Sequence, residues 1–350
     1  MSRGLALRTL VSGVLFCIIS MWVMLYFAEH KAINIENVAQ DQVVNVDELP
    51  LEQINGIQKT EETIRFRQGE DNTDYLCIPL QDGIKAENVT MENHYIEKQM
   101  WIYINGISQA FFDKEAVFGN ISQITSGVYE VTSKGVLLKF TLTDVFEYKS
   151  ILEENHLYIQ FIPPKEVYDQ IIVIDAACGG DDKGYCENSI VEKNMTLDIA
   201  KRLKERLDHS DIKVYYTRID DSTISDEERV SLANAVHAEM LISIRVNYSD
   251  DQSVYGTETI YNENYFIPGL GSVELADIVE RNVVTQISGK GNGLFACEES
   301  DILLTDAKVP VAAITVGYIS NKQESILLQK EDYRDRIAEG LYLAVLEAYE

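Results

Sequence analysis

Polar residues gather where three predicted strands of the C-terminal half end. The first segment covers residues 175–180, the second 243–247 and the third 314–318. Because the sites of open α/β sheets form beyond the carboxyl ends of the strands, we expect these segments to meet. Glu192 is a fourth candidate, since it opens a predicted helix whose first-turn N–H groups orient and stabilise a carboxylate. The sequence therefore predicts a polar site at one edge of a sheet.

Thiol chemistry is the first possibility at this edge, because Cys178 lies in the first segment. A thiolate binds zinc at about 2.3 Å, and it is a nucleophile when a neighbouring base activates it. Of the five histidines, only His209 and His237 lie in this half of the chain, and both are predicted on the surface where helices give way to strands. We therefore find no base for Cys178. A disulfide with Cys186 or an incidental metal ion are its alternatives.

An α/β domain over residues 169–350 positions these side chains. Predicted strands at 171–176, 213–218, 240–246, 257–262 and 309–319 alternate with predicted helices at 191–207, 225–237, 272–287 and 332–348. The continuous apolar runs favour parallel strands that are covered on both faces. Alternation of strand and helix indicates a mainly parallel sheet flanked by helices.

The preceding region, residues 63–166, shows short alternating runs broken by turn residues. Runs rich in β-forming residues occur at 75–80, 99–106, 127–133, 135–144 and 156–164. Asn105-Gly106 is a favourable hairpin turn. We interpret this region as an all-β, sandwich-like domain.

The N-terminus predicts a membrane anchor. Residues 10–28 form an uncharged apolar run long enough to cross a bilayer as a helix, and the basic end, residues 1–9, is expected to stay in the cytoplasm. Residues 29–62 are polar and acidic, which is typical of a tether. A cleaved signal peptide is the competing interpretation, but no small-x-small cleavage site follows the run. We expect a single-pass protein of the cell membrane whose bulk lies outside the cytoplasm.

Composition restricts the class of partner. The 350 residues carry a formal net charge of −27, and 46% of them are hydrophobic. An acidic surface repels nucleic acid, so we exclude nucleic-acid binding. The hydrophobic content is sufficient for two folded domains and argues against wholesale disorder.

The C-terminal domain resembles the zinc-dependent N-acetylmuramoyl-L-alanine amidases, which cut peptidoglycan between muramic acid and the stem peptide. The family pattern I-D-A-G-H-G-G corresponds to IDAACGG here, and S-I-H-A-N corresponds to SIRVN. The other matching motifs, in the same order as in the family, are EKN at 192–194, TR at 217–218, ERVSLAN at 228–234 and PVAAITVGYISN at 310–321. The resemblance implies the amidase fold, a peptidoglycan substrate and a zinc cofactor.

The departures from the family pattern fall on the residues that the resemblance assigns to chemistry. Cys178 stands at the first zinc-binding histidine and Arg245 at the second. Thr315 stands at the general-base glutamate, and only the metal-binding Glu192 is retained. A guanidinium has no lone pair for a metal and stays protonated, and a threonine cannot act as the base for water. We therefore expect neither catalytic residues nor a bound metal.

Retention of Glu192 needs a physical reason, because a buried carboxylate without a counter-charge costs several kcal/mol. We predict that Arg245 reaches Glu192 and takes the electrostatic place of the metal. The alternative is that Glu192 is a first-turn carboxylate that faces solvent. Asn247 and the retained glycines suggest that the groove keeps its shape, or that they only maintain backbone turns.

Three functions follow from these observations. The first is a membrane-anchored, catalytically inactive amidase homologue that binds peptidoglycan, a muropeptide or a cell-wall enzyme. The second is an active amidase whose atypical site holds Zn²⁺. The third is a scaffold that binds its partner through the β-rich domain alone.

Overall fold

The computed structural model describes residues 33–35, 62–68, 74–187 and 189–350. These residues divide between two compact units. The first unit contains the described residues up to Phe161, except for the two short segments Asn93–Gln99 and Leu142–Glu147. The second unit contains these two segments and the C-terminal α/β domain.

The predicted membrane anchor lies outside the described residues. The same is true of residues 1–9 and of the predicted tether, except for Ile33–Ile35 and Glu62. Ile33–Ile35 forms a short strand that pairs with residues 150–152, inside the region expected to be a tether. Across the described part of the chain, no helix has the length and apolar character that crossing a bilayer requires.

The first unit contains two sheets. Its strands are β1 (Ile33–Ile35), β2 (Glu62–Thr63), β3 (Phe66–Gln68), β4 (Leu76–Pro79), β5 (Val89–His94), β6 (Gln99–Asn105), β7 (Val117–Gly119), β8 (Ile124–Val131), β9 (Gly135–Leu142), β10 (Glu147–Glu153) and β11 (His156–Ile162), with a 3-10 turn at Ala86–Asn88 and helix α1 at Gln109–Phe112. The sheet orders are β1-β10-β11-β4-β7-β3 and β2-β8-β9-β6-β5. Phe66 of one sheet contacts Phe140 of the other edge to face, with ring centroids 6.2 Å apart. Buried residues alternate along β6 and β9, as expected for strands with one face on a core.

The second unit is built on one six-stranded mixed sheet. Its strands are β12 (Ile171–Ala176), β13 (Cys186–Glu187), β14 (Ile190–Val191), β15 (Lys213–Tyr216), β16 (Met240–Asn247), β17 (Thr257–Tyr261), β18 (Gly291–Ala296) and β19 (Val311–Tyr318), and its helices are α2 (Pro164–Val167), α3 (Glu192–Leu207), α4 (Asp226–Ala235), α5 (Ser272–Ile287), α6 (Ile302–Thr305), α7 (Lys322–Leu328) and α8 (Glu331–Ala348). The strand order is β15-β12-β16-β19-β17-β18, and β13 pairs with β14 outside this sheet. The pair β17–β19 is antiparallel and the other adjacent pairs are parallel.

Helices cover both faces of this sheet. One core contains residues of α3, α5 and α8, such as Leu203, Val279 and Leu341. The other contains residues of α4 and α6, such as Val230 and Leu303. Every residue of β12 and β19 is buried, which explains their continuous apolar sequences. The prediction of a mainly parallel sheet flanked by helices is confirmed.

Local signals predicted most helix boundaries well. Ser225 caps α4 through a capping box, in which its hydroxyl accepts from the Glu228 N–H and the Glu228 side chain accepts from the Ser225 N–H. Strand β18 and helix α7 were not predicted, and neither were the short elements β13, β14, α2 and α6. β18 carries two glycines and is exposed along much of its length, so its hydrophobic pattern is weak.

Candidate functional site

A row of three side chains crosses the sheet near the carboxyl end of β16. Arg245 is the register partner of Thr315 on β19, and Thr315 is the register partner of Glu258 on β17. Directly opposed residues of neighbouring strands point to the same face. The two positions predicted to belong to the site, Arg245 and Thr315, are therefore adjacent, as expected from the strand ends. Glu258 was not predicted, because its place beside Thr315 depends on the antiparallel return of β17.

Glu192 is buried, with 5% of its surface exposed. Its Oε1 accepts from the Val246 N–H at 2.9 Å, and its Oε2 accepts from the Tyr185 N–H at 2.9 Å. Burial raises the pKa of Glu192, and these two backbone hydrogen bonds and Arg245 partly offset the increase. The interpretation of Glu192 as a solvent-facing carboxylate is wrong. The Glu192 carboxylate connects the loop before α3 to strand β16.

Arg245 pairs with Asp301 and not with Glu192. Its two terminal nitrogens donate to the two oxygens of Asp301 at 2.6 and 3.2 Å. Asp301 is the N-cap of α6, and its side chain also accepts from the Leu304 N–H at 3.3 Å. The predicted Arg245–Glu192 ion pair is therefore wrong. The physical reason is that backbone donors already occupy both oxygens of Glu192, whereas Asp301 offers a guanidinium the two-point geometry that it prefers.

Cys178 adopts a left-handed backbone conformation, with φ of 61°. Two side-chain atoms lie close to the position that a Cβ on Gly184 would occupy. The Cys178 Sγ is 2.6 Å from it, and the Glu192 Oε2 is 2.4 Å from it. Thiol and carboxylate therefore converge on the same glycine. Burial, followed by the charges of Glu192 and Asp182, raises the pKa of Cys178. The thiol stays protonated near neutral pH, and both Cys178 and Cys186 are free, so the disulfide alternative is not realised in this structure.

Asn247 and Tyr318 hold the carboxylate of Glu258. The Asn247 amide donates to Oε1 at 2.6 Å, and the Tyr318 hydroxyl donates to Oε2 at 2.9 Å. The Thr315 hydroxyl donates to the backbone carbonyl of Glu258 at 3.1 Å. The hydroxyl at the general-base position is thus directed toward a neighbouring strand.

A buried ion pair supports the strand end beneath this row. Asp175 accepts from Arg229 at 2.5 Å, from the Thr217 hydroxyl at 2.7 Å and from the Ser243 hydroxyl at 2.6 Å. Burial by itself would raise the pKa of Asp175, but the charge of Arg229 and the hydroxyl donors lower it. Arg229 also donates to the carbonyl of Cys178 at 2.7 Å, so this pair fixes the loop that carries the thiol.

Positions 179 and 180 require glycine for two reasons, the close packing around them and their left-handed backbone conformation. A Cβ on Gly179 would lie 2.3 Å from the Ser222 carbonyl, and one on Gly180 would lie 2.0 Å from the Thr223 hydroxyl. Their φ angles are 135° and 56°. A side chain at either position would therefore clash with residues 222–223, against which the loop after β12 is packed. The two glycines therefore maintain the backbone turns of this loop, which is the second of the two interpretations given for them above.

The residues at this site do not fit a zinc ion. Tetrahedral zinc sites use three or four Cys, His, Asp or Glu ligands. Here Arg245 brings a positive charge to one ligand position, so only Cys178 and Glu192 of the three ligand positions carry side chains that can bind zinc. Within the described ranges, no three such side chains are grouped so that they could bind a metal.

Comparison with known families identifies the family to which this fold belongs. The model of the family described as N-acetylmuramoyl-L-alanine amidase matches residues 172–347. The match covers half of the chain and includes the mixed sheet and every site position discussed above, which defines an amidase-like α/β domain. The chain belongs to the N-acetylmuramoyl-L-alanine amidase family.

Individual relatives match over the same half of the chain. The uncharacterized protein YqiI of Bacillus subtilis is 29% identical over 180 residues, which cover 51% of this chain and 84% of YqiI. The germination-specific N-acetylmuramoyl-L-alanine amidase of Bacillus subtilis is 28% identical over 196 residues, which cover 51% of this chain and 80% of that enzyme. The N-acetylmuramoyl-L-alanine amidase from Clostridium difficile 630, whose crystal structure is known, is 31% identical in sequence. The match covers 51% of this chain and 95% of the amidase chain, with a TM-score of 0.48.

Proposed function

We propose that this protein is a catalytically inactive member of the amidase family that binds peptidoglycan without hydrolysing it. The observation that carries the proposal is the Arg245–Asp301 ion pair, because it puts a guanidinium and its counter-ion at a position where the family resemblance requires a metal ligand. Water at such a site has neither a Lewis acid to polarise it nor a carboxylate at residue 315 to take its proton.

The packing of the strand-end loops supports binding rather than loss of all function. The Asp175–Arg229 pair and the packing of Gly179 and Gly180 still hold the strand-end loops. Glu192 connects one of these loops to β16. We expect the surface formed by these loops to accept a muropeptide, and a cell-wall enzyme is the other class of partner that we propose for it.

The cellular setting is a further part of the proposal. The uncharged run at residues 10–28, with basic residues before it, supports a single-pass anchor with the second unit outside the cytoplasm. An anchored binder would act on the wall close to the membrane. Fusion of a reporter enzyme that works only outside the cytoplasm to the C-terminus tests this orientation.

The central test measures three properties of the full chain purified in detergent. Elemental analysis should find almost no zinc after incubation with the metal, and digestion of purified sacculi should release no new amino termini. The protein should nonetheless co-sediment saturably with the same sacculi at physiological salt. Release of stem peptides would overturn the inactive assignment, and failure to co-sediment would overturn the binding assignment.

One observation favours the alternative, an active amidase with an atypical metal site. The Glu258 carboxylate lies one strand away from the general-base position and is held by two hydrogen bonds. If Glu258 serves as the base, the native chain should bind about one zinc ion. The variant Glu258→Gln should then lose hydrolysis while keeping the metal. Hydrolysis that Glu258→Gln abolishes would establish this alternative.

A further inference from the structure

Two exposed tyrosines stack on each other beside the candidate site. Tyr185 lies in the loop before α3, and Tyr248 follows β16 directly. Their ring centroids are 5.7 Å apart and their planes differ by 19°, an offset-stacked arrangement. The side chains remain 48% and 37% exposed, so the pair is not part of a core.

Both backbones are fixed to residues of the site. Tyr185 and Glu192 exchange two hydrogen bonds of 2.9 Å, one to the carboxylate and one between backbone groups. The Tyr248 N–H donates to the side chain of Asn247 at 2.8 Å, and Asn247 in turn donates to Glu258 at 2.6 Å. The aromatic pair is therefore held at the edge of the former metal site, and its position depends on residues that the fold already orders.

We propose that Tyr185 and Tyr248 form a stacking platform for a pyranose ring of a β-linked glycan strand. The flat face of such a ring presents C–H groups, while its hydroxyls lie at the edge. An aromatic face is apolar and carries partial negative charge, so it attracts C–H groups, and a phenol hydroxyl can hydrogen-bond at the ring edge. This inference rests on the proposed function and adds the chemical contact that recognises the sugar.

Charge favours a neutral sugar over an anionic ligand at this position. The chain carries a net charge of −27, and the carboxylates of Glu192 and Glu258 lie in the adjoining site, where the charge of Arg245 is already neutralised by Asp301. An anion would be repelled by this field, whereas an uncharged pyranose is not. Two rigid aromatic rings also lose little conformational entropy when a ligand covers them.

The test compares ring removal with ring retention in the full chain purified in detergent. The probes are chitotetraose, a soluble β-linked N-acetylglucosamine oligomer, and purified sacculi. The variant Tyr185→Ala/Tyr248→Ala should bind chitotetraose about tenfold more weakly than the native chain, whereas Tyr185→Phe/Tyr248→Phe should stay within about twofold of it. The matched control is Phe266→Ala. Phe266 is 74% exposed and lies beyond the end of β17 that is distant from Glu258, so its removal should change nothing.

The outcomes separate this inference from the proposed function. If the double alanine variant co-sediments with sacculi as well as the native chain does, the platform is overturned and the proposed function stays intact. Absence of native co-sedimentation would overturn the proposed function, and chitotetraose binding would then judge the platform alone. Failure of the native chain to bind chitotetraose, or equal binding by the double alanine variant, overturns the platform. Equal unfolding midpoints of the variants verify that the exposed rings are not needed for folding.

Discussion

Arg245 and Asp301 form a two-point ion pair across 56 residues of sequence, with N–O distances of 2.6 and 3.2 Å. The pair joins the end of β16 to the first turn of α6, at a position where amidases of this family are expected to bind a metal. It also leaves Glu192 to backbone donors alone. Glu192 therefore has a structural role, because its carboxylate connects the backbones of Tyr185 and Val246.

The Arg245–Asp301 pair should stabilise the fold measurably. Removal of one partner leaves the other charge unpaired. The two side chains are only 21% and 16% exposed, so we expect Arg245→Met or Asp301→Asn to lower the free energy of unfolding by about 1–3 kcal/mol. The double variant should lose less than the sum of the two. Urea unfolding of all four proteins gives the coupling energy, and strictly additive losses would contradict the pairing.

Glu192→Gln should destabilise the second unit by about 1–3 kcal/mol, since an amide has one acceptor oxygen and would turn its NH₂ toward the other backbone N–H. The effect depends on pH. The pKa of Glu192 is raised above 4.5, so the folded state binds the proton more tightly and the contribution of Glu192 to stability falls as pH rises through the raised pKa. The stability difference between the native chain and the variant should therefore shrink from pH 4.5 upward. A difference that grows with pH would indicate a lowered pKa.

Asp175 should show the opposite dependence. Its pKa is lowered from 3.8, so its stabilising contribution is complete above that value and is lost as pH falls below it, through the lowered pKa. Asp175→Asn leaves the buried Arg229 with only the exposed carboxylate of Asp226, 3.8 Å away, and should cost about 3–5 kcal/mol at neutral pH. The gap between the two proteins should narrow in acid. Urea titrations at neutral and strongly acidic pH test this, and a gap that is independent of pH would exclude the ion pair as its source.

Gly184→Ala tests the convergence of Cys178 and Glu192. The new Cβ would meet Glu192 Oε2 at 2.4 Å and Cys178 Sγ at 2.6 Å, on a backbone with φ of 61°. The matched control is Gly269→Ala, where φ is 99° but no atom lies within 4 Å of the new Cβ. The control should lose about 1 kcal/mol from backbone strain, and Gly184→Ala should lose at least about twice as much. Equal losses by thermal unfolding would mean that the thiol and the carboxylate do not share this position.

Restoration of the family residues should create a zinc site. The triple variant Cys178→His/Arg245→His/Thr315→Glu should bind about one zinc per chain, because it supplies two imidazoles beside Glu192 and removes the guanidinium. Histidine is among the residues that tolerate the left-handed backbone found at position 178. The control adds Glu192→Gln to the triple variant and should bind much less zinc by elemental analysis. A triple variant that binds no more zinc than the native chain would show that the groove no longer accepts the metal.

Periodicity and local signals predicted much of the α/β domain. The apolar run at Ile171–Ala176 and the amphipathic pattern at Glu192–Leu207 form a strand and a helix at nearly the predicted bounds. These features depend on residues that are close together in the chain, so the sequence alone contains them. β18 was not predicted, because its two glycines and its exposed residues weaken the hydrophobic pattern of a strand.

The charge pairing of the site was decided by tertiary structure. The sequence determined that Arg245 cannot bind a metal and that Thr315 cannot act as a general base, because these are properties of the side chains themselves. It did not determine that Arg245 would choose Asp301, or that Glu258 would lie beside Thr315. Partner choice depends on which strands become neighbours and on which donors already occupy each carboxylate, and both are set only when the sheet is assembled.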